Sequence, residues 1–230
     1  MFDSIFKHSS EGFNGEITFE KHPDIIKLKD SKVLIVGAGK STDIIDWKAD
    51  DYDHIISCNN FFLNKKLSKL KVMAATIGMN VNTRSSDFNK YVQENNTLCI
   101  FEPDHGGKQK LTANSIFARL RYNGRIGAVP RLILYAMFWG AKEIHIVGMD
   151  GFPPTGERTI YHAFEGPKLL EGTIENLKNL DKITARYHRQ YILFWDYVFS
   201  IGEDVVFQNL AENLEYNMLS PISQKEFPLK

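Results

Sequence analysis

KVLIVGAGKST, residues 32–42, is the stretch whose reading decides the fold. The apolar run Val33–Val36 ends at glycine, the pattern of a buried strand closed by a turn. Ser41 or Thr42 can then cap a short helix, STDIIDW. A strand, a glycine turn and a helix N-terminus together aim backbone N–H groups at an anion. The two familiar phosphate-loop patterns nevertheless fail on spacing. A Walker A loop needs its first glycine where Leu34 stands, and a dinucleotide fingerprint needs its third where Thr42 stands.

Outward from this stretch the pattern repeats. Residues 54–58 (HIISC), 71–76 (KVMAAT), 97–102 (TLCIFE), 143–150 (EIHIVGMD) and 204–210 (DVVFQNL) read as further buried strands. Helices are expected at 61–70, 87–95, 126–141, 168–180 and 184–200, and a small hairpin within 12–19. In the strongly apolar helix 126–141, Pro130 lies near the start and Gly140 supplies the stop. Strands alternating with helical crossovers predict an α/β fold. Its mostly parallel, Rossmann-like sheet has about six strands with helices on both faces. The division expected is an N-terminal extension (1–30), one domain (31–219) and a polar tail (220–230). Loops near 103–115 and 151–166 are placed to act as lids.

Composition narrows the function classes. Lys+Arg and Asp+Glu both number 28, so no basic footprint for nucleic acid or an anionic membrane exists. No apolar run approaches a membrane span, and the N-terminus lacks the apolar core of a signal peptide. Cys58 and Cys99 sit in apolar strands without metal-ligand spacing and read as buried free thiols. These features predict a cytoplasmic protein.

In open parallel sheets ligands bind beyond the carboxyl ends of the strands. The residues there are Gly37, Ala38, Gly39, Asn59, Asn60, Thr76, Gly78, Glu102, Gly148 and Asp150. Asn59 and Asn60 offer paired donors and acceptors for a base edge or a sugar hydroxyl, or simply form a turn. Asp150 suits a ribose hydroxyl, a loop or a turn cap. Arg125, ahead of the apolar helix, suits a phosphate or the surface.

In order and spacing these blocks resemble the bacterial sialyltransferases of glycosyltransferase family 42. The resemblance is carried by KVLIVGAGKSTDIIDW, DYDHIISCNNFF, RIGAVPRLILYAMFWGAKEIHIVGMDGF, YHAFE and His188. The pterin pyrophosphokinase-like proteins of the DUF115 group are neighbours of that fold. The resemblance implies a single-domain sialyltransferase-like variant that moves a sugar from a CMP-linked donor to a glycan hydroxyl. No cofactor or metal is required, and a homo-oligomer is compatible with the apolar helix. It further implies His188 as the base, with His162 as rival. Tyr161, Arg125, Lys40 and the Gly37–Gly39 backbone would steady the departing phosphate, with Ser41, Asn59, Asn60, Thr76, Gly148 and Asp150 around the nucleoside. Several positions depart from the family pattern. Ala38 and Thr76 stand for asparagines, Lys40 for proline, Ala128 for serine and Phe152 for tyrosine, and Tyr187 is out of register. Two rivals follow. One is a magnesium-dependent pyrophosphokinase using Asp150, Glu102 and Asp104; the other is a degenerate nucleotide- or glycan-binding relative.

Overall fold

The structure, a computed structural model, describes residues 6–7, 28–78, 80–101, 114–120, 127–150, 159–169 and 180–211. The expected hairpin within 12–19, most of the first lid loop, Glu102, Asp104, Arg125, Phe152 and the tail lie outside these residues.

The main strands are β2 (Lys32–Val36), β3 (His54–Cys58), β4 (Ala74–Ile77), β5 (Leu98–Phe101), β6 (Ser115–Phe117), β8 (Glu143–Val147) and β11 (Val206–Asn209). They form one seven-stranded sheet in the order β11-β8-β2-β3-β4-β5-β6. Every neighbouring pair is parallel. The chain starts at β2, walks outward to β6, then returns to lay β8 against the other side of β2. The order therefore reverses between β2 and β8, where open α/β sheets form their crevice. Two short antiparallel pairs stand apart, β1 (Phe6–Lys7) with β7 (Arg119–Leu120), and β9 (Thr159–His162) with β10 (Gly166–Leu169).

The helices follow from local chemistry. α2 (Ser86–Asn95) opens on Ser85, whose hydroxyl accepts from Phe88 N at 3.3 Å, and closes on left-handed Asn96. α3 (Ala128–Phe138) packs eight buried side chains against β2, β3 and β4 and stops at Gly140, whose φ is 91°. α4 (Leu180–Ile201) lays Trp195 against Phe207 of β11. The central strands are buried on both faces, as near-continuous apolar runs in a covered parallel sheet should be.

Several expectations are corrected. The third strand starts at Ala74, not Lys71, and β6 makes the sheet larger than expected. Residues 61–70 do not form a helix. Asn64 is buried, and its Oδ1 takes the Lys66 and Leu67 N–H groups, breaking the stretch into two single turns of 3-10 helix. Residues 168–169 belong to strand β10 rather than to a helix, and 159–166 form much of a hairpin rather than an irregular loop. The helix α1 (Ser41–Ile44) has only four residues and no side-chain cap, because Ser41 is its first residue and its hydroxyl is engaged elsewhere.

Candidate functional site

At the reversal point the turn after β2 and the turn after β8 are locked together. Gly37 N donates to Val147 O at 2.7 Å and Gly39 N to Gly148 O at 2.9 Å. Ser41 N donates to Asp150 Oδ2 at 2.7 Å, and the Ser41 hydroxyl donates to Asp150 Oδ1 while accepting from Gly148 N at 2.7 Å. Thr42 Oγ1 donates to Gly37 O at 2.8 Å. The approach needs glycine. A Cβ on Gly39 would lie 2.5 Å from Asp150 Oδ2, and one on Gly37 would lie 2.7 Å from Val129 Cγ2.

This geometry changes how the turn reads. The carboxylate of Asp150 occupies the anion position at the start of α1, so Gly37, Gly39 and Ser41 already direct their N–H groups at the protein's own acceptors. Burial holds the Asp150 carboxyl above its usual range, against the opposing effect of the Ser41 bonds and of Lys40. Ala38 and exposed Lys40 remain at the rim.

The open polar atoms lie one strand further along. A cavity of about 150 Å³ is lined by Asn59, Thr76, Gly78, Ala128, Arg131 and Tyr135, among others. It sits at the carboxyl ends of β3, β4 and β5, beneath the start of α3. Asn59 takes a left-handed φ of 52° and accepts from Gly78 N at 2.9 Å through Oδ1. That bond fixes the amide orientation and leaves Nδ2 as an unused donor among the described residues. Cys58 of β3 pairs with Thr76 of β4, which sets Thr76 beside Asn59. The Thr76 hydroxyl is buried and has no partner among the described residues. Asn60, also buried, starts the following turn, its carbonyl accepting from Leu63 N at 2.9 Å.

The β9–β10 hairpin reaches this region. Ala163 N donates to Ala38 O at 2.7 Å, and Asn64 Nδ2 joins the Ala163 carbonyl at 2.9 Å to the Asp43 carboxylate at 3.0 Å. His162 is thereby held next to the glycine turn, its Nδ1 3.5 Å from Glu165 Oε2. Tyr161 lies on β9 opposite Pro167, and His188 lies within α4. The structure thus gathers Gly37, Ala38, Gly39, Lys40, Ser41, Gly148 and Asp150 at one turn and Asn59 and Thr76 at the adjoining cavity. Arg131 was missed in the sequence. It is the only charged residue of α3, and that break in an apolar helix was the available signal.

Cys58 and Cys99 are buried free thiols, and burial pushes Cys58 up to about 12. Among the described residues no group of three or more ligating side chains could hold a metal, and no helix is long and apolar enough to cross a membrane.

No protein-family model matches the chain, and no curated protein sequence matches it. Solved structures do. The chain is similar to a variant of the sialyltransferase CST-II in complex with CMP, at 16% identity and a TM-score of 0.51, covering 80% of this chain and 83% of that one. It is also similar to CST-II in complex with a trisaccharide acceptor and CMP, at 16% identity and a TM-score of 0.50, covering 80% and 82%. A third, CstII from Campylobacter jejuni with a substrate analogue, cytidine-5'-monophosphate, aligns at 13% identity and a TM-score of 0.47 over 80% and 81%. At this identity the likeness establishes the architecture, and the chain has a sialyltransferase-like, Rossmann-like α/β fold.

Proposed function

We propose that the chain is a nucleotide-sugar glycosyltransferase that takes a CMP-linked donor, with sialic acid or a related acid sugar as its cargo, and transfers the sugar to a glycan hydroxyl without a metal. The observation that carries this reading is the cavity holding the unused Asn59 amide and the orphan Thr76 hydroxyl. A buried hydroxyl without a partner is costly, and a ligand bearing both donors and acceptors relieves it. A pyrimidine ring or a ribose has that character and suits the confined space. Arg131 on the same wall offers a guanidinium to acceptor atoms of the ring. The similar fold of CST-II, solved with CMP, supports this choice of nucleotide.

In this mechanism the nucleoside sits against Asn59, Thr76 and Arg131, and the phosphate faces the rim formed by Ala38 and Lys40. The locked turn of Gly37, Gly39, Ser41 and Asp150 is the rigid wall that holds that rim in place. Tyr161 and Arg125 are assigned to the departing phosphate on the family resemblance. A histidine takes the acceptor proton as the new bond forms. His188 is the base the resemblance implies; His162 is favoured by its place beside Ala163, whose N–H is bonded to Ala38 O.

Calorimetric titration with CMP, UMP, GMP and ATP, each with magnesium and with EDTA, tests the reading. CMP binding that survives EDTA is expected. Binding confined to ATP with magnesium would replace the proposal with the pyrophosphokinase reading. Sugar transfer by His188→Ala and His162→Ala then identifies the base, since only its loss should lower kcat with little change in donor affinity.

A further inference from the structure

A hairpin tip is ordinarily a polar turn in water. The tip of the β9–β10 hairpin is not. Ala163, Phe164 and Glu165 form it, closed by Glu165 N donating to His162 O at 3.1 Å and followed by Gly166 at a φ of 80°. Phe164 is only 4% exposed and belongs to the main apolar core; its ring meets that of His162 edge-on, with centroids 5.7 Å apart. The tip is therefore docked into the body of the protein, and His162, the residue before it, is held with it.

Two polar contacts complete the docking. Ala163 N donates to Ala38 O at 2.7 Å, on the glycine turn itself. The Ala163 carbonyl accepts from Asn64 Nδ2 at 2.9 Å. Asn64 is 3% exposed and uses every bond its amide can make. Nδ2 gives its second hydrogen to Asp43 Oδ1 of α1 at 3.0 Å, while Oδ1 accepts from Lys66 N at 2.9 Å and Leu67 N at 3.1 Å. A flipped amide would set its oxygen against the Asp43 carboxylate and the Ala163 carbonyl, and its hydrogens against two N–H groups, so the orientation is fixed. The two ends of this side chain serve different purposes. Oδ1 shapes the turn of its own segment. Nδ2 contributes nothing to that turn and reaches 99 positions along the chain to the hairpin tip.

We propose that Asn64 is a positioning residue for the donor site: by clamping Ala163 to the glycine turn, it sets where His162 stands relative to a nucleotide at the rim of Ala38 and Lys40. The inference rests on the reading of that rim as the place of the donor phosphate. A stabilising role alone does not account for the pattern. The turns within 61–70 need only the Oδ1 acceptor, and burial of Phe164 already ties the tip to the core. The Nδ2 and Ala38 bonds add direction. They hold the N–H and the C=O of one residue, Ala163, from two different segments, so the tip cannot slide along the rim. His162 is joined directly to that fixed point.

Asn64→Asp separates the two roles. It keeps the acceptor for Lys66 and Leu67 and replaces the donor by a carboxylate oxygen facing Asp43 and the Ala163 carbonyl. Amide hydrogen exchange and NMR titration with CMP on the full chain read the result, with the His162 ring signal assigned from His162→Ala. In Asn64→Asp the Ala163 amide should exchange about tenfold faster or more, while the Lys66 and Leu67 amides keep their protection. CMP should bind roughly threefold to tenfold more weakly, and its effect on the His162 signal should be lost. Ala163→Pro acts on the other end of the clamp. It removes the N–H that is bonded to Ala38 and suits the second position of the four-residue turn. It should weaken CMP and silence the His162 response in the same way, and it decides if Asn64→Asp fails to fold. The inference is overturned if the Ala163 amide keeps its protection in Asn64→Asp, or if either folded variant retains the wild-type CMP affinity or the wild-type His162 response. A wild-type chain that binds CMP without moving the His162 signal overturns the inference alone. One that binds no CMP overturns the transferase reading and this inference with it.

Discussion

Replacing Ser41 with alanine removes one oxygen and two hydrogen bonds at the point where the two halves of the sheet meet. The Ser41 side chain is fully buried. Its hydroxyl donates to the Asp150 carboxylate and accepts from Gly148 N at 2.7 Å. In the variant the Gly148 N–H becomes a buried donor with no acceptor, and Asp150 keeps only the Ser41 backbone donor. Losing the charge-assisted bond and orphaning a buried amide together should cost about 3 kcal/mol, because each is worth ~1–3 kcal/mol and the cavity left by one atom adds little. For a chain of this size that corresponds to a fall in melting temperature of roughly 6–12 °C. Urea denaturation of wild type, Ser41→Ala, Asp150→Asn and the double variant measures it. The two sites should be non-additive, with a coupling of about 1–2 kcal/mol. A loss below about 1 kcal/mol, or strict additivity, would mean that the lock is not a structural unit and does not hold the rim as a preformed wall.

Three further outcomes are expected. Thr76→Val keeps the shape and removes a buried hydroxyl without a partner, so it should leave stability unchanged or raise it by about 0.5–1 kcal/mol while weakening CMP several-fold by calorimetry. Gly39→Ala sets a Cβ 2.5 Å from Asp150 Oδ2 and should destabilise by about 2 kcal/mol in urea, with CMP affinity falling because the rim must move. His145 is held below its usual 6.5 by burial first and Lys32 second, against Glu143. The unfolded chain therefore takes up the proton first. The contribution of His145 to stability is complete above pH 6.5, shrinks as the pH drops below that value, and is lost once the pH has fallen through the lower folded value. Urea midpoints measured from pH 7.5 downward should show this slope, and His145→Gln should flatten it.

The sheet was legible because its strands are short apolar runs bounded by glycine or polar residues, and burial on both faces leaves little room for another reading. The third strand was set three residues early because Val72 and Met73 are apolar and buried but lie before the paired segment. The false helix at 61–70 came from an acceptable apolar spacing. The Asn64 side chain overrode it by bonding the backbone two and three residues ahead, an effect that spacing does not encode. In the site, the glycines and Asp150 were found by their place after the strands, but the bond between Asp150 and Ser41 was not. That contact spans 109 positions and depends on strand order, which no local pattern states. The tether from Ala163 to Ala38 was hidden for the same reason. The contacts of His145 with Tyr52 and Glu143 were overlooked because an alternating strand gives no sign of which of its polar residues face inward.

The strand order also has a consequence for how the molecule is assembled. The partners of the turn after β2 are Val147, Gly148 and Asp150, more than a hundred positions downstream of Gly37. A nascent chain that has exposed only the first four main strands has a sheet edge at β2 and a glycine turn whose amides still face water. That turn acquires its shape when β8 arrives, so the rim at Ala38 and Lys40 is among the last features to mature during synthesis. A fragment ending before residue 143 should collapse around β2–β6 yet fail to retain nucleotide. Adding 127–211 as a separate peptide should restore retention by supplying the missing edge.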